Sequence, residues 1–322
     1  MEPAKKLKAM TGDADGDRSI SDTTKVDFRS LEMGDGVPTA KHAVLNIVSG
    51  RDVGRILVLE GTSISIGRSF ECDVTLLGPG ISRRHCELEY RGDGKWFLVD
   101  KWSTNGTLVN GVKATHVALT VDDLIRVGKE TALKFGLADE TEVAARAATY
   151  EASIRDALTG LSNRRHFLNE MYQLTDQSRR TSKPISVLLL DVDHFKKIND
   201  KHGHPVGDVV IKRVAECLRA EVRDTDSVCR YGGEEFAVAL GGVGADDAME
   251  VAEVLREKLA EMCFRRENES FQITVSIGIS TARDSSESRV RGLIREADDN
   301  LYRAKRGGRN RTVGPTTDTD DA

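Results

Sequence analysis

The stretch Arg230-Tyr231-Gly232-Gly233-Glu234-Glu235-Phe236 constrains this chain most, because two glycines and then two carboxylates interrupt residues that are otherwise strand-forming. The flanks, Ser227 to Arg230 and Phe236 to Leu240, predict a β-hairpin with Gly232-Gly233 in a two-residue turn of positive backbone angles. Adjacent acids at a hairpin tip repel one another unless a cation neutralises them, and Mg²⁺ prefers carboxylate oxygens together with substrate phosphates. The heptapeptide therefore reads as a metal and nucleotide site, with a plain solvated turn as the alternative.

About forty residues upstream, Pro184 to Leu190 is a short apolar run of the length of a buried strand. It ends in Asp191-Val192-Asp193-His194-Phe195-Lys196-Lys197-Ile198-Asn199-Asp200, and acids at the exit of a buried strand are costly unless they bind something. After His202-Gly203-His204-Pro205-Val206-Gly207-Asp208 a helical pattern begins, with apolar residues at Val209, Val210, Val214, Cys217 and Leu218. Strands are expected near 185–191, 227–231, 235–240 and 272–280, and helices near 163–180, 206–222, 245–263 and 288–305, an α/β arrangement.

Five segments occur together and in order: Asp156 to Arg165 (DALTGLSNRR), Asp191 to Asp200, His202 to Asp208, Arg230 to Phe236, and Leu301 to Asn310. They resemble the GGDEF family of diguanylate cyclases, over residues 150 to 313, about half the chain. The resemblance implies a palm-like α/β domain that condenses two GTP molecules into cyclic di-GMP and two pyrophosphates. One domain holds one GTP, so a homodimer is implied as well. Matched position by position, Asp191, the Val192 carbonyl and Glu234 resemble the ligands of two Mg²⁺ ions per site, with Mn²⁺ able to substitute, and Glu234 is also the candidate base. Glu235 supports the metal or the turn. Asn199 and Asp208 fall where the family reads guanine, with His204 beside them, and Lys196, Lys305 and Arg309 fall where it holds phosphate. Arg230 would assist either the transition state or a neighbouring inhibitory site. Arg223 and Asp226 fit the family's RxxD pattern, which implies feedback inhibition by bound cyclic di-GMP; a capped, solvated helix end is the alternative.

Residues 43 to 137 show short β patterns separated by glycine turns, among them Ala43 to Val48, Ile56 to Leu59, Ser63 to Ile66, Trp96 to Val99 and Leu124 to Val127, which predicts an all-β sandwich. Within it stand Gly67-Arg68, Ser82-Arg83-Arg84-His85, Ser103-Thr104-Asn105-Gly106-Thr107 and Asn110-Gly111. In that order they resemble the forkhead-associated (FHA) domain, which implies a phosphothreonine peptide as ligand. A phosphate of charge about −2 calls for a guanidinium fork with hydroxyl and amide donors on rigid loops. Arg68, Ser82, Arg83, Thr104 and Asn105 supply those types; by the resemblance Arg68 and Ser82 contact phosphate and Asn105 holds the peptide backbone. His85 reads as a loop strut.

The expected order is thus a mobile tail (1–42), an FHA sandwich (43–137), a helical linker (138–158), an α/β GGDEF domain (159–313) and a disordered end (314–322). Thr23 and Thr24 in the tail are candidate substrates of a Ser/Thr kinase, and the peptide in the FHA site is either this tail or a partner protein. In the linker, Val143, Ala147, Tyr150, Ile154 and Ala157 line one helix face, which either pairs two chains or packs on the sandwich. A net charge of −5, with no basic tract and no long apolar run, argues against nucleic-acid or membrane partners. Met1 to Met10 has no apolar core of a signal peptide. Cys72, Cys86, Cys217, Cys229 and Cys263 form no CxxC pair and read as reduced, mostly core residues of a cytoplasmic protein. Two functions remain: a diguanylate cyclase gated through phosphopeptide binding, or a catalytically silent sensor of GTP or cyclic di-GMP that acts as a phosphopeptide-binding scaffold.

Overall fold

Apolar side chains at every second position, such as Cys86 and Leu88 or Trp96 and Leu98, fold the N-terminal half into two facing sheets. One sheet has the order Ile56–Val58, His42–Ser49, Thr131–Ala138, Leu124–Val127, Thr107–Val109, Val112–Ala114, and the other Val74–Thr75, Ser63–Gly67, Cys86–Tyr90, Trp96–Asp100, His116–Ala118. Leu45, Ile47, Ile66, Leu98, Ile125 and Leu133 fill the space between them. The computed structural model describes residues 41–266, 269–282 and 287–315. These divide into two units, one ending at Ser153 and the other beginning at Ile154. Thr23 and Thr24 lie outside the described residues.

The helix Glu140–Ile154 starts immediately after the sandwich, with the Glu142 N–H capped by Asp139 Oδ1 at 2.9 Å. Val143 is buried against Val44, Ile56 and Ala138, Ala147 packs beside it, and Arg146 donates to Asn46 Oδ1 at 2.9 Å. Val143 and Ala147, the first two positions of the face foreseen in the linker, thus lie on the sandwich's own sheet.

In the second unit all eight residues of the strand Ile185–Val192 are buried, which accounts for an apolar run without alternation. The sheet order is Ser162–Asn163, Ser227–Arg230, Glu235–Gly241, Ile185–Val192, Val275–Ala282, Thr312–Val313. Leu188, Leu190 and Val192 share one core with the helices His204–Glu221 and Ala245–Glu261; Ile185, Val187 and Leu189 share another with Arg164–Thr181 and Glu287–Arg306.

The structure departs from the sequence expectations at several points. A short helix, Phe195–His202, occupies the segment after Asp191, and Gly203, at φ 84, separates it from the next helix, which begins at His204 with Pro205 in its first turn. The strands Cys263–Arg266 and Glu269–Gln272 pair in a separate two-stranded sheet, so the last long strand starts at Val275 rather than near 272. Val209 is exposed, and Cys217 is only partly buried, packed at the margin of the core. All five cysteines are free; Cys72, Cys86 and Cys229 are core residues, but Cys263 is exposed. Among the described residues no helix is long and apolar enough to cross a membrane.

The helix Glu287–Arg306 lies directly on Gly278, where a Cβ would stand 2.1 Å from both the Ala297 carbonyl oxygen and the Leu301 nitrogen. Asn300 Nδ2 donates to the Ile279 carbonyl and Ser280 Oγ to the Leu293 carbonyl, each at 2.7 Å, and fix the same contact. Gly278→Ala is expected to cost this unit about 2–3 kcal/mol through overpacking, measured as a lower urea midpoint with unchanged slope.

Candidate functional site

The antiparallel register of Ile185–Val192 on Glu235–Gly241 sets Asp191 opposite Glu235, and the Val192 N–H donates to the Glu234 carbonyl at 3.3 Å. Asp191, Glu234 and Glu235 therefore gather at one edge of the sheet. The turn differs from the expected two-residue hairpin. The Tyr231 and Gly232 N–H groups both donate to the Glu235 carbonyl, at 2.8 and 3.2 Å, closing a loop of Gly232, Gly233 and Glu234, and neither glycine is left-handed. A Cβ on Gly232 would meet Glu235 Oε2 at 2.6 Å, whereas Gly233 has nothing within 4 Å and leaves this face of the loop open.

Arg230 clamps this loop. Its Nε and Nη2 donate to the Gly233 carbonyl at 3.0 and 2.8 Å, and Nη1 lies 3.3 Å from both oxygens of Asp156. Asp156 in turn accepts from the Thr159 N–H and hydroxyl at 3.0 and 2.8 Å. Arg230 thereby ties the acidic loop to the DALTG segment.

Burial pushes the Asp191 carboxyl above its ordinary pKa; Lys305 Nζ, 2.8 Å from Oδ2, pulls it down, and the charges of Glu234 and Glu235 push it up again. The outcome is upward, with burial the largest cause, and three carboxylates gathered at one edge are a donor set that fits a divalent cation. Among the described residues no three His, Cys, Asp or Glu side chains form a ready-made metal cluster, and Mg²⁺ commonly takes one or two carboxylates and completes its shell with phosphates and water. Lys305, expected on phosphate, rests on Asp191 in this structure.

Asp193, the second acid at the strand exit, is used internally. It accepts from Thr274 Oγ1 and Ser276 Oγ, each at 2.7 Å, and from the Asn310 N–H at 3.0 Å. Gly308, Arg309 and Asn310 run at φ 117, 64 and 44, a succession of left-handed residues that needs such an anchor. Asp193 thereby holds the loop that carries Arg309, a role the sequence reading missed. Arg256 Nη1, donating to Asn310 Oδ1 at 3.0 Å, holds it from the other side.

Asn199 lies on the short helix, its Oδ1 buried without a hydrogen-bond partner and set against Gly207, where a Cβ would come within 2.0 Å. Asp208 follows Gly207; Asp208, His204, Lys196 and Arg309 are all exposed. Arg223 and Asp226, expected as an inhibitory product site, pair with each other. Arg223 Nε and Nη2 donate to the carboxylate at 2.9 and 2.7 Å, and Nη2 also reaches the Gly241 carbonyl at 2.9 Å. The Asp226 side chain is 0% exposed and that of Arg223 12%, so the pair is not a solvated helix end.

In the sandwich, Arg68, Gly80, Ile81, Ser82, Arg83, Arg84, Trp102, Thr104 and Asn105 line an open cleft of about 480 Å³. Ser82 Oγ accepts from the Thr104 N–H at 2.9 Å and lies 3.3 Å from Thr104 Oγ1. Asn105 Nδ2 donates to the Gly80 carbonyl at 2.7 Å, bracing the loops that face each other across the cleft. His85 sits beneath: Nδ1 accepts from the Ser82 N–H at 3.0 Å and Nε2 lies 3.3 Å from the Gly106 carbonyl, the arrangement of a neutral strut. The five residues expected to bind phosphopeptide thus share one cleft, with Arg84 and Trp102 added by the structure.

The chain joins a β-sandwich with an arginine-lined cleft to an α/β domain whose sheet has an acidic edge. Residues 64–128 match the FHA domain, and residues 153–311 match the family described as diguanylate cyclase, GGDEF domain. The chain carries an FHA domain followed by a GGDEF domain. Response regulator PleD of Caulobacter vibrioides is 39% identical over 166 residues, 51% of this chain and 36% of that protein. Diguanylate cyclase A of Treponema denticola is 36% identical over 166 residues, 51% of this chain and 44% of that protein. The chain thus spans less than half the length of these curated relatives. The crystal structure of the coiled coil and GGDEF domain of DgcB from Caulobacter crescentus, in complex with c-di-GMP, superposes with a TM-score of 0.50 at 29% identity, covering 53% of this chain and 91% of that one.

Burial holds the His85 imidazole below its ordinary pKa against the opposing pull of Gly106 and Asp100. Below about pH 6.5 the unfolded chain takes up a proton that the folded sandwich resists, so the stability due to neutral His85 is lost as pH falls from there. Denaturant unfolding followed by tryptophan fluorescence should show the sandwich weakening between pH 7 and 5, and His85→Asn should flatten that slope.

Proposed function

We propose that the GGDEF domain condenses two GTP molecules into cyclic di-GMP and that the FHA cleft, holding a phosphothreonine peptide, regulates it. The observation that carries the cyclase reading is the convergence of Asp191, Glu234 and Glu235 beside the open face of Gly233, with Lys305 the cation paired to Asp191. Identity of 36–39% to the two relatives over this domain supports it.

A divalent cation, Mg²⁺ with Mn²⁺ able to substitute, bound by Asp191, the Val192 carbonyl and Glu234, would neutralise phosphate charge and acidify the attacking hydroxyl. Glu234 accepts the proton of the 3′-hydroxyl as its oxygen bonds to the α-phosphorus of the other nucleotide and the bond to pyrophosphate breaks. Lys196, Arg309 and Lys305 hold the triphosphate; Asn199, with its unpartnered acceptor, reads guanine together with Asp208 and His204. One GTP per domain makes the working unit a homodimer. Product feedback at Arg223 would use the guanidinium edge that Asp226 and Gly241 leave unused.

In the sandwich, Arg68 and Ser82 receive the phosphate, and Arg83, Thr104 and Asn105 frame the peptide. Thr23 and Thr24, phosphorylated by a Ser/Thr kinase, are a tethered source of that ligand at high effective concentration, and a partner protein is the other source.

Purified protein given GTP and Mg²⁺ should yield cyclic di-GMP by mass-resolved chromatography, and Glu234→Ala should abolish it with the fold intact; an undiminished rate in that variant rejects the catalytic assignment. Asp193→Asn, which weakens the anchor of the Arg309 loop, should raise KM for GTP roughly tenfold with a smaller effect on kcat. Phosphorylation should change the rate, and a change that persists in the Thr23→Ala, Thr24→Ala double variant excludes the tail as ligand.

A further inference from the structure

Trp102 is 98% exposed, whereas Trp96 in the same unit is 5% exposed and part of the core. Its backbone sits at φ 56, a left-handed conformation that glycine adopts without strain and a bulky side chain does not. A loose loop does not explain this. The Lys101 N–H donates to the His85 carbonyl at 2.9 Å, and Ser103 is fastened to the Asp100 carboxylate through its N–H at 3.0 Å and its hydroxyl at 2.6 Å. Thr107 Oγ1 donates to the same carboxylate at 2.7 Å. Both neighbours of Trp102 are pinned, so a fixed backbone holds the indole out into solvent.

Such a residue opposes local stability twice, through backbone strain and through apolar surface left in water. Strain of this kind is held by the surrounding fold and concentrates where a protein meets a ligand. The partner's place is set by position: Trp102 lines the same cleft as Arg68, Arg83 and Arg84, above Ser82 and Thr104.

We propose that Trp102 is a specificity-determining residue of this cleft: its indole receives an aliphatic or aromatic side chain of a phosphothreonine peptide whose phosphate lies at Arg68 and Ser82. The proposal rests on the phosphopeptide reading above. An indole face attracts either cations or apolar groups, and three arginines lining the cleft repel a cationic peptide side chain. An apolar side chain meets no such penalty and leaves water as it covers the ring. The phosphate supplies attraction that is blind to the neighbouring sequence, and Trp102 supplies the discrimination.

The test uses the full chain and its Trp102→Gly and Trp102→Phe variants against a degenerate library of synthetic peptides with one fixed phosphothreonine, the bound fraction being sequenced by mass spectrometry. The wild-type chain should enrich apolar side chains at one position within a few residues of the phosphothreonine. An enriched peptide should bind roughly tenfold tighter than its copy with serine there. Trp102→Gly should bind both copies alike with its thermal midpoint unchanged or raised, and Trp102→Phe should keep the preference. Equal enrichment by Trp102→Gly and wild type, or no apolar enrichment by wild type, overturns the proposal. If wild type does not distinguish the phosphorylated library from its unphosphorylated copy, the phosphopeptide reading itself falls, and this inference with it.

Discussion

The pairing of Ile185–Val192 with Glu235–Gly241 governs the second unit, because one register sets both the core and the acids. Shifting it by one residue would move Leu188 and Leu190 to the opposite face and carry Asp191 away from Glu235. Burial on two faces makes that shift very costly, so the hydrophobic effect, which has no chemical preference of its own, ends up fixing the separation of charged groups. The chain tolerates the resulting repulsion at the strand's exit because the interior of the strand holds it there.

The two acids at that exit have opposite fates. Asp191 is left with a single lysine and two acidic neighbours, while Asp193 is saturated by two hydroxyls and a backbone amide. A carboxylate left at the edge beside one lysine, next to one whose oxygens are taken up by internal hydrogen bonds, is how a rigid frame presents a single charge. The sandwich follows the same division: His85 and Asp100 are consumed in holding loops, while Arg68, Arg83 and Arg84 line the cleft.

Much of this was legible in the chain. The apolar run before Asp191 is a buried strand, the four long helices fall within two residues of their expected limits at both ends, and the residues expected to bind phosphopeptide share a cleft. Local templates failed where tertiary partners decide. The Gly232-Gly233 turn has no left-handed residue because two N–H groups share the Glu235 carbonyl. Arg230 finds Asp156, 74 positions away, and Arg223 closes on Asp226; spacing alone separates neither arrangement from an open cation. Asp193 was invisible for the same reason, since its donors come from two distant segments, around Thr274 to Ser276 and at Asn310. The strain at Trp102 is a backbone property and has no mark in composition.

The seat of the last helix on Gly278 has a further consequence. Lys305 lies one turn past Leu301, the residue whose nitrogen rides over that glycine, on a helix that rises about 1.5 Å per residue. With no side chain between helix and sheet, the depth of one apolar contact becomes the ruler against which an ammonium group is placed beside Asp191. Core volume and site electrostatics are therefore a single variable in this domain, and sequence drift in its packing is felt as a change of charge.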